Sequence, residues 1–280
     1  MTCLNLKGSL DTVKSSNPVL SRLGQAAERE RTTGYGASGP GYDQAYPAAG
    51  YSAAPPAVRP MTIDDVVVKT VTLLDITGIS GIAAWNLVPD AVAPAVWIGA
   101  AVVGLVLGFV ISFSRMANPA LVVTYAVVEG VFVGMVSKAF EAFYDGIVLQ
   151  AVVATFGVFF LMAMLYKSRV IRATPRFTKG LIAVMGGLFA IMLINLVLSL
   201  FGVHTGIRDN GALGYLFSIV CIVVAALSFI LDFDQIEQGV RMGLPQRYSW
   251  TCAFGILVGL IWLYLEILRL LSYLQGSSRD

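Results

Sequence analysis

From Pro60 onward the chain is a succession of long apolar runs separated by short polar breaks. The runs are continuous rather than alternating, which excludes a β-barrel and fits helices that cross a membrane, each needing about 20 apolar residues. The pattern predicts seven of them, over residues 66–87, 92–113, 120–143, 147–166, 179–201, 212–231 and 249–273. The breaks hold turn formers and charges, as in NLVPD, SRMANP, FYDG and QGVRMGLPQR. In the first run Lys69, Thr72 and Asp75 or Ile76 fall on one helical stripe, predicted to face protein rather than lipid. Three GxxxG pairs, Gly104–Gly108, Gly130–Gly134 and Gly255–Gly259, supply small faces for close helix packing, either within the chain or between copies.

Residues 1–60 are different. They are rich in Gly, Ser, Ala, Pro and Tyr and contain few aliphatic side chains, so they cannot bury enough apolar surface to offset the entropy of ordering. The expectation is a disordered tail over 1–60 and a seven-helix domain over 61–280, with no cleavable signal peptide near Met1. The tyrosines of the tail are candidate sites for partner proteins or phosphorylation, with a plain solvated tether as the alternative.

Composition agrees with the pattern. The chain has 280 residues, 57% hydrophobic and 13% charged, where a soluble domain carries roughly 25% charged residues. A net charge of +2 gives no footprint for nucleic acid. Cys3, Cys221 and Cys252 form no CxxC pair, and His204 is the sole histidine, so neither a zinc site nor any other cofactor is expected. The seven spans divide the basic residues unevenly: fourteen fall on the side of the N-terminus and four on the other, with Lys69 inside a span. The positive-inside rule then puts the N-terminus in the cytoplasm and the C-terminus outside the cytoplasmic membrane.

Acids within apolar runs are functional candidates by default, because a charge in hydrocarbon costs at least about 2.5 kcal/mol. Glu129 lies in the third run, Asp75 in the first, Asp232 at the end of the sixth and Glu266 in the last. Each has a structural alternative. Glu129 can be a protonated or hydrogen-bonded packing residue, Asp75 can balance Lys69, Asp232 as well as its neighbours Asp234 and Glu237 can be a solvated helix-end acid, and Glu266 has Arg269 three residues on. If Asp232 and Glu266 instead meet inside the bundle, they compete for one proton, hold their helices together when protonated and repel when ionised. Their oxygens would also suit a transient Ca²⁺.

These residues resemble those of the Bax-inhibitor-like family of membrane proteins, in its bacterial branch. The resemblance rests on Asp232 followed by Phe233, Asp234, Gln235 and Ile236 in the penultimate span, on Leu263, Tyr264 and Leu265 before Glu266 in the last, and on Glu129–Gly130 in the third. It runs from about residue 61 to the C-terminus and leaves out the tail. It implies an all-α bundle of seven transmembrane helices with the last helix at its centre. It also implies a pH-sensitive Ca²⁺ leak in which Asp232 and Glu266 form the gating carboxylate pair. Two departures stand out: glutamate replaces the family's aspartate in the last helix, and the link between the sixth and seventh spans looks long.

Other functions fit less well. An intramembrane aspartyl protease needs a GxGD motif, and none occurs; a serine protease needs a histidine within the membrane, and His204 falls in a predicted outer loop. An enzyme is therefore not expected. The last span has no lysine for a retinal Schiff base, and the two halves show no repeat of the kind secondary transporters use. The remaining alternative is a non-transporting stress-response or interaction protein whose tail recruits partners.

Overall fold

The computed structural model describes residues 59–277 except 115–116, 203–205 and 207–210. The expectations for the tail, for His204, and for Arg115 and Arg208 as orientation markers lie outside the described residues.

Seven helices follow one another: α1 (Ile63–Leu87), α2 (Ala93–Phe113), α3 (Pro119–Glu141), α4 (Ile147–Lys167), α5 (Pro175–Leu200), α6 (Ala212–Arg241) and α7 (Tyr248–Ser277). All seven are long and apolar enough to span a bilayer. With no strand among the described residues, the protein is an all-α multi-pass membrane protein.

Local chemistry sets the helix starts. Thr62 and Asp65 form a capping box: Thr62 Oγ1 accepts from Asp65 N–H at 3.2 Å and Asp65 Oδ2 accepts from Thr62 N–H at 3.1 Å. That box begins α1 three residues earlier than hydropathy alone suggests. Asn118 and Thr174 cap α3 and α5, each followed by proline at the first helical position.

The largest departure is at α6, which runs ten residues past the predicted Leu231. Its last turns alternate polar residues with buried Ile236 and Gly239, so they gain packing without needing lipid. Thirty residues at 1.5 Å make about 45 Å, longer than a ~30 Å hydrocarbon core. The helix stops at Gly243, whose φ of 64° suits the left-handed turn that closes it; there Leu244 N–H bonds back to Gly239 C=O at 3.1 Å. The link to α7 is therefore short, residues 242–247, and not the long connection expected.

The last helix is central. In α7, 61% of the apolar window is buried, against 11% in α2 and in α5. α1, α3, α4 and α6 all pack on α7, whereas among the described residues α2 rests on α3 alone and α5 on α6 alone. α1 and α4 do not pack on each other, which leaves a cleft between them floored by α7.

The tightest crossing is between α1 and α3. A methyl group on Gly134 would lie 2.4 Å from Gly81 C=O, and one on Gly130 would lie 2.4 Å from Thr77 C=O. Thr77 Oγ1 donates to Leu73 C=O at 2.9 Å within its own helix and reaches Ala126 C=O at 3.2 Å across the crossing. The other pairs are also internal contacts: Gly104 faces Glu129, Gly108 faces Tyr125, Gly255 faces Asp232 and Gly259 faces Phe229. All three GxxxG pairs thus serve packing within the chain.

The polar stripe of α1 faces protein only in part: Lys69 reaches the start of α7 and Ile76 packs against a core cluster, but Thr72 and Asp75 do not. The residues α1 buries are Val66, Thr70, Leu73, Thr77, Gly81 and Ala84, while Thr72 and Asp75 are exposed. A helix turns about 100° per residue, so Asp75 lies well round the helix from Leu73 and Thr77. Gly134→Ala and Gly130→Ala place a carbon into neighbouring backbone and are each expected to destabilise the protein by ~2 kcal/mol or more. Gly78→Ala, where nothing lies within 4 Å of the added carbon, is expected to change stability by less than about 0.5 kcal/mol; thermal unfolding in detergent measures all three.

Candidate functional site

At the end of the bundle where α1 and α7 begin, the chain ties itself together. Met61 N–H donates to Leu244 C=O at 2.7 Å and Gln246 N–H to Arg59 C=O at 3.0 Å, around an isolated bridge between Pro60 and Pro245. Asp65 Oδ1 accepts from Gln246 Nε2 at 2.8 Å. Lys69 donates to Gln246 C=O at 3.3 Å and to Ser249 Oγ, with its ammonium 5.3 Å from the centre of the Trp250 ring. Lys69 is thus held by the first turn of α7 and not by Asp75, which corrects the expected pairing. Sequence reasoning missed this clamp because its partners lie about 180 residues apart.

Immediately above the clamp is a cavity of about 260 Å³. Asp232 of α6 lines it, with Gln235, Gln238, Tyr248, Thr251 and Cys252 as the other polar residues of its wall. The Asp232 carboxylate lies against Gly255, where an added methyl group would sit 3.7 Å from Oδ1. A bulkier residue at 255 would close this space. Met61 and Leu244 form the outer wall, and the Met61 terminal carbon fits against Gly239, 2.8 Å from where a side chain there would begin. Asp232 accepts no hydrogen bond from another described residue. It is half-buried and open to the cavity.

Glu266 is elsewhere. It is 2% exposed, and its Oε1 accepts from Arg269 at 3.4 Å across one turn of α7. Four residues before it, on the same face, Trp262 packs with the α5–α6 cluster. Asp232 stands beside Gly255 and Phe229 beside Gly259, so the antiparallel register puts Glu266 level with Ile222. From Gly255 to Glu266 is eleven residues, about 16 Å along the helix. The expected carboxylate pair is therefore not formed. Nor can the two acids ligate one Ca²⁺, whose oxygens stand only about 2.3–2.6 Å from the ion.

The remaining acids have separate settings. Glu129, half-buried at mid-helix, lies one turn from Tyr125, and its Oε1 lies 2.7 Å from where a Gly104 side chain would begin. This is the packing arrangement considered for it. Asp234 accepts from Gln238 at 2.6 Å and from Tyr166 at 3.5 Å; Glu237 accepts from Tyr166 at 2.6 Å and pairs with Arg241. Tyr166 reaches them from α4, so the helix-end acids are cross-braced, a tie that spacing within α6 could not reveal. Asp75 stands on the exposed face of α1. No group of three His, Cys, Asp or Glu residues gathers among the described residues to hold a metal.

A family described as Bax inhibitor 1 like matches the chain over residues 17–276. The match starts well before residue 61, so the family likeness includes much of the segment expected to stand apart from it. No curated protein matches the chain.

Separation has a measurable consequence. Substitutions more than about 10 Å apart with no shared partner add in free energy to within about 0.5 kcal/mol. Asp232→Asn and Glu266→Gln are expected to shift unfolding stability additively in the double variant. Acids sharing a proton would instead show a coupling well above that limit.

Proposed function

Because the chain belongs to the Bax inhibitor 1 like family, we propose that it is a pH-sensitive cation leak, with Ca²⁺ as the cation, and that Asp232 alone is its proton-sensitive gate. The observation that supports this most is the Asp232 carboxylate facing a small cavity between α6 and the central helix, with Gly255 leaving it room. Hydrated carboxylate oxygens suit a hard cation. Protonation removes the charge that attracts the cation and leaves Met61 and Leu244 as an apolar stopper. Ionisation draws water and a cation into the cavity and loosens that stopper.

Beyond the cavity, the route follows α7 toward Glu266 and Arg269. A buried acid held by a neighbouring arginine presents little free charge, so this level acts as the narrow closed section and Asp232 as the loading position. On this reading the clamp end faces the cytoplasm of the plasma membrane. Arg59, Lys167, Arg169, Arg172, Arg176, Lys179, Arg241 and Arg247 all lie there, against Lys138 and Arg269 toward the other end.

Ca²⁺ flux from proteoliposomes, measured against pH, tests the proposal. Wild-type flux is expected to fall as pH falls. Asp232→Asn, which mimics the protonated acid, is expected to give low flux at every pH, and Glu266→Gln to alter the rate while keeping the pH dependence. Flux in Asp232→Asn that still follows pH as in the wild type would reject Asp232 as the gate.

A further inference from the structure

The cleft between α1 and α4 contains an apolar groove of about 490 Å³ that opens sideways toward the membrane and reaches Ile256 of the central helix. Its walls include Val67, Val71, Phe159, Phe160 and Ala163. Along α4 it runs from Phe156 to Tyr166, about 15 Å, which is half of a ~30 Å hydrocarbon core and so the depth of one leaflet's acyl chain.

The mouth of the groove has the opposite character. Tyr166 and Glu237 line both the groove and an adjoining polar cavity of about 540 Å³. Lys167, Arg169, Arg172 and Arg241 surround that cavity, against Asp234 and Glu237. Both acids are already engaged, Glu237 by Tyr166 and Arg241, and Asp234 by Gln238 and Tyr166. Lys167, Arg169 and Arg172 are exposed and together leave the cavity positive. Arg169 is also the one non-glycine residue with positive φ among those described, at 57°. It ends α4 with Val170 N–H bonded to Leu165 C=O at 3.2 Å, a position that glycine fills without strain. An arginine there places its charge at the cavity despite the backbone cost.

We propose that this groove and the cavity beside it, which share Tyr166 and Glu237 as a common rim, bind one anionic phospholipid, its phosphate held by Arg169, Arg172 and Lys167 and one acyl chain lying between α1 and α4 against α7. Charge complementarity selects the headgroup, and the groove depth selects a chain of one leaflet. A lipid seated there fills the space between two helices whose backbones stand apart, and so bears on the central helix.

The test uses the full chain purified in neutral detergent and titrated with dioleoyl phosphatidylglycerol or dioleoyl phosphatidylcholine, read by thermal unfolding and native mass spectrometry. Phosphatidylglycerol is expected to remain bound as one molecule per monomer and to raise the unfolding temperature; phosphatidylcholine is expected to bind far more weakly. In Arg169→Gly/Arg172→Ala, phosphatidylglycerol binding is expected to weaken about thirty-fold, taking about 1 kcal/mol per basic residue. The lipid-free unfolding temperature of that variant should not fall, because glycine relieves the left-handed position. Ala163→Trp, which fills the groove, is expected to reduce retention of either lipid. Glycerol phosphate should not compete at lipid-equivalent concentration, since it lacks the chain. Equal binding of the two lipids, undiminished binding in the arginine variant, full competition by glycerol phosphate, or protein dimers in place of lipid-bound monomers would each overturn the assignment.

Discussion

The antiparallel contact of α6 with α7 sets the positions of Asp232 and Glu266, the two acids on which the function turns. Gly259 receives the Phe229 ring and Gly255 leaves space beside Asp232, so the two helices approach closely in this register. Lipid supplies no hydrophobic force between helices, and close approach through small residues must hold them instead. Sliding α6 by a turn one way would drive Phe229 against Leu263, and a slide either way would move Asp232 away from its cavity. The same register sends Glu266 to a different depth, against Arg269.

This arrangement divides what a shared pair would have combined. One acid lines a small cavity near the end of the bundle where α7 begins; the other is buried deep and partnered within its own helix. Their chemical roles differ accordingly. An accessible carboxylate can take up a proton or a cation, while a buried carboxylate beside a guanidinium chiefly satisfies its neighbour. The clamp of Arg59 and Met61 against Leu244 and Gln246 ties the first of these sites to the start of α1, because Met61 and Leu244 belong both to the clamp and to the cavity wall.

Much of the fold was legible in the sequence because lipid imposes a length and a polarity on each segment. Six helices ended within about four residues of the apolar runs that announced them. The sixth did not, since its last ten residues are polar on one side and are kept helical by Ile236 and Gly239 packing, which hydropathy does not register. Side-chain pairing was less legible. Glu266 with Arg269 and Tyr125 with Glu129 lie one turn apart and follow from helical spacing. The Lys69–Ser249 and Tyr166–Glu237 contacts join distant segments and depend on which helices are neighbours. The Asp232–Glu266 pairing failed for the same reason: residue type and helix order say that two acids lie on adjacent helices, but only the packing register says at what depth.

Disulfide trapping in a cysteine-free background tests the register most directly. Asp232→Cys combined with Gly255→Cys is expected to cross-link readily on mild oxidation, while Asp232→Cys combined with Glu266→Cys is expected to stay reduced, since bridged Cα atoms must lie within about 7 Å. Efficient cross-linking of 232 to 266, with none to 255, would contradict the account and restore the carboxylate pair.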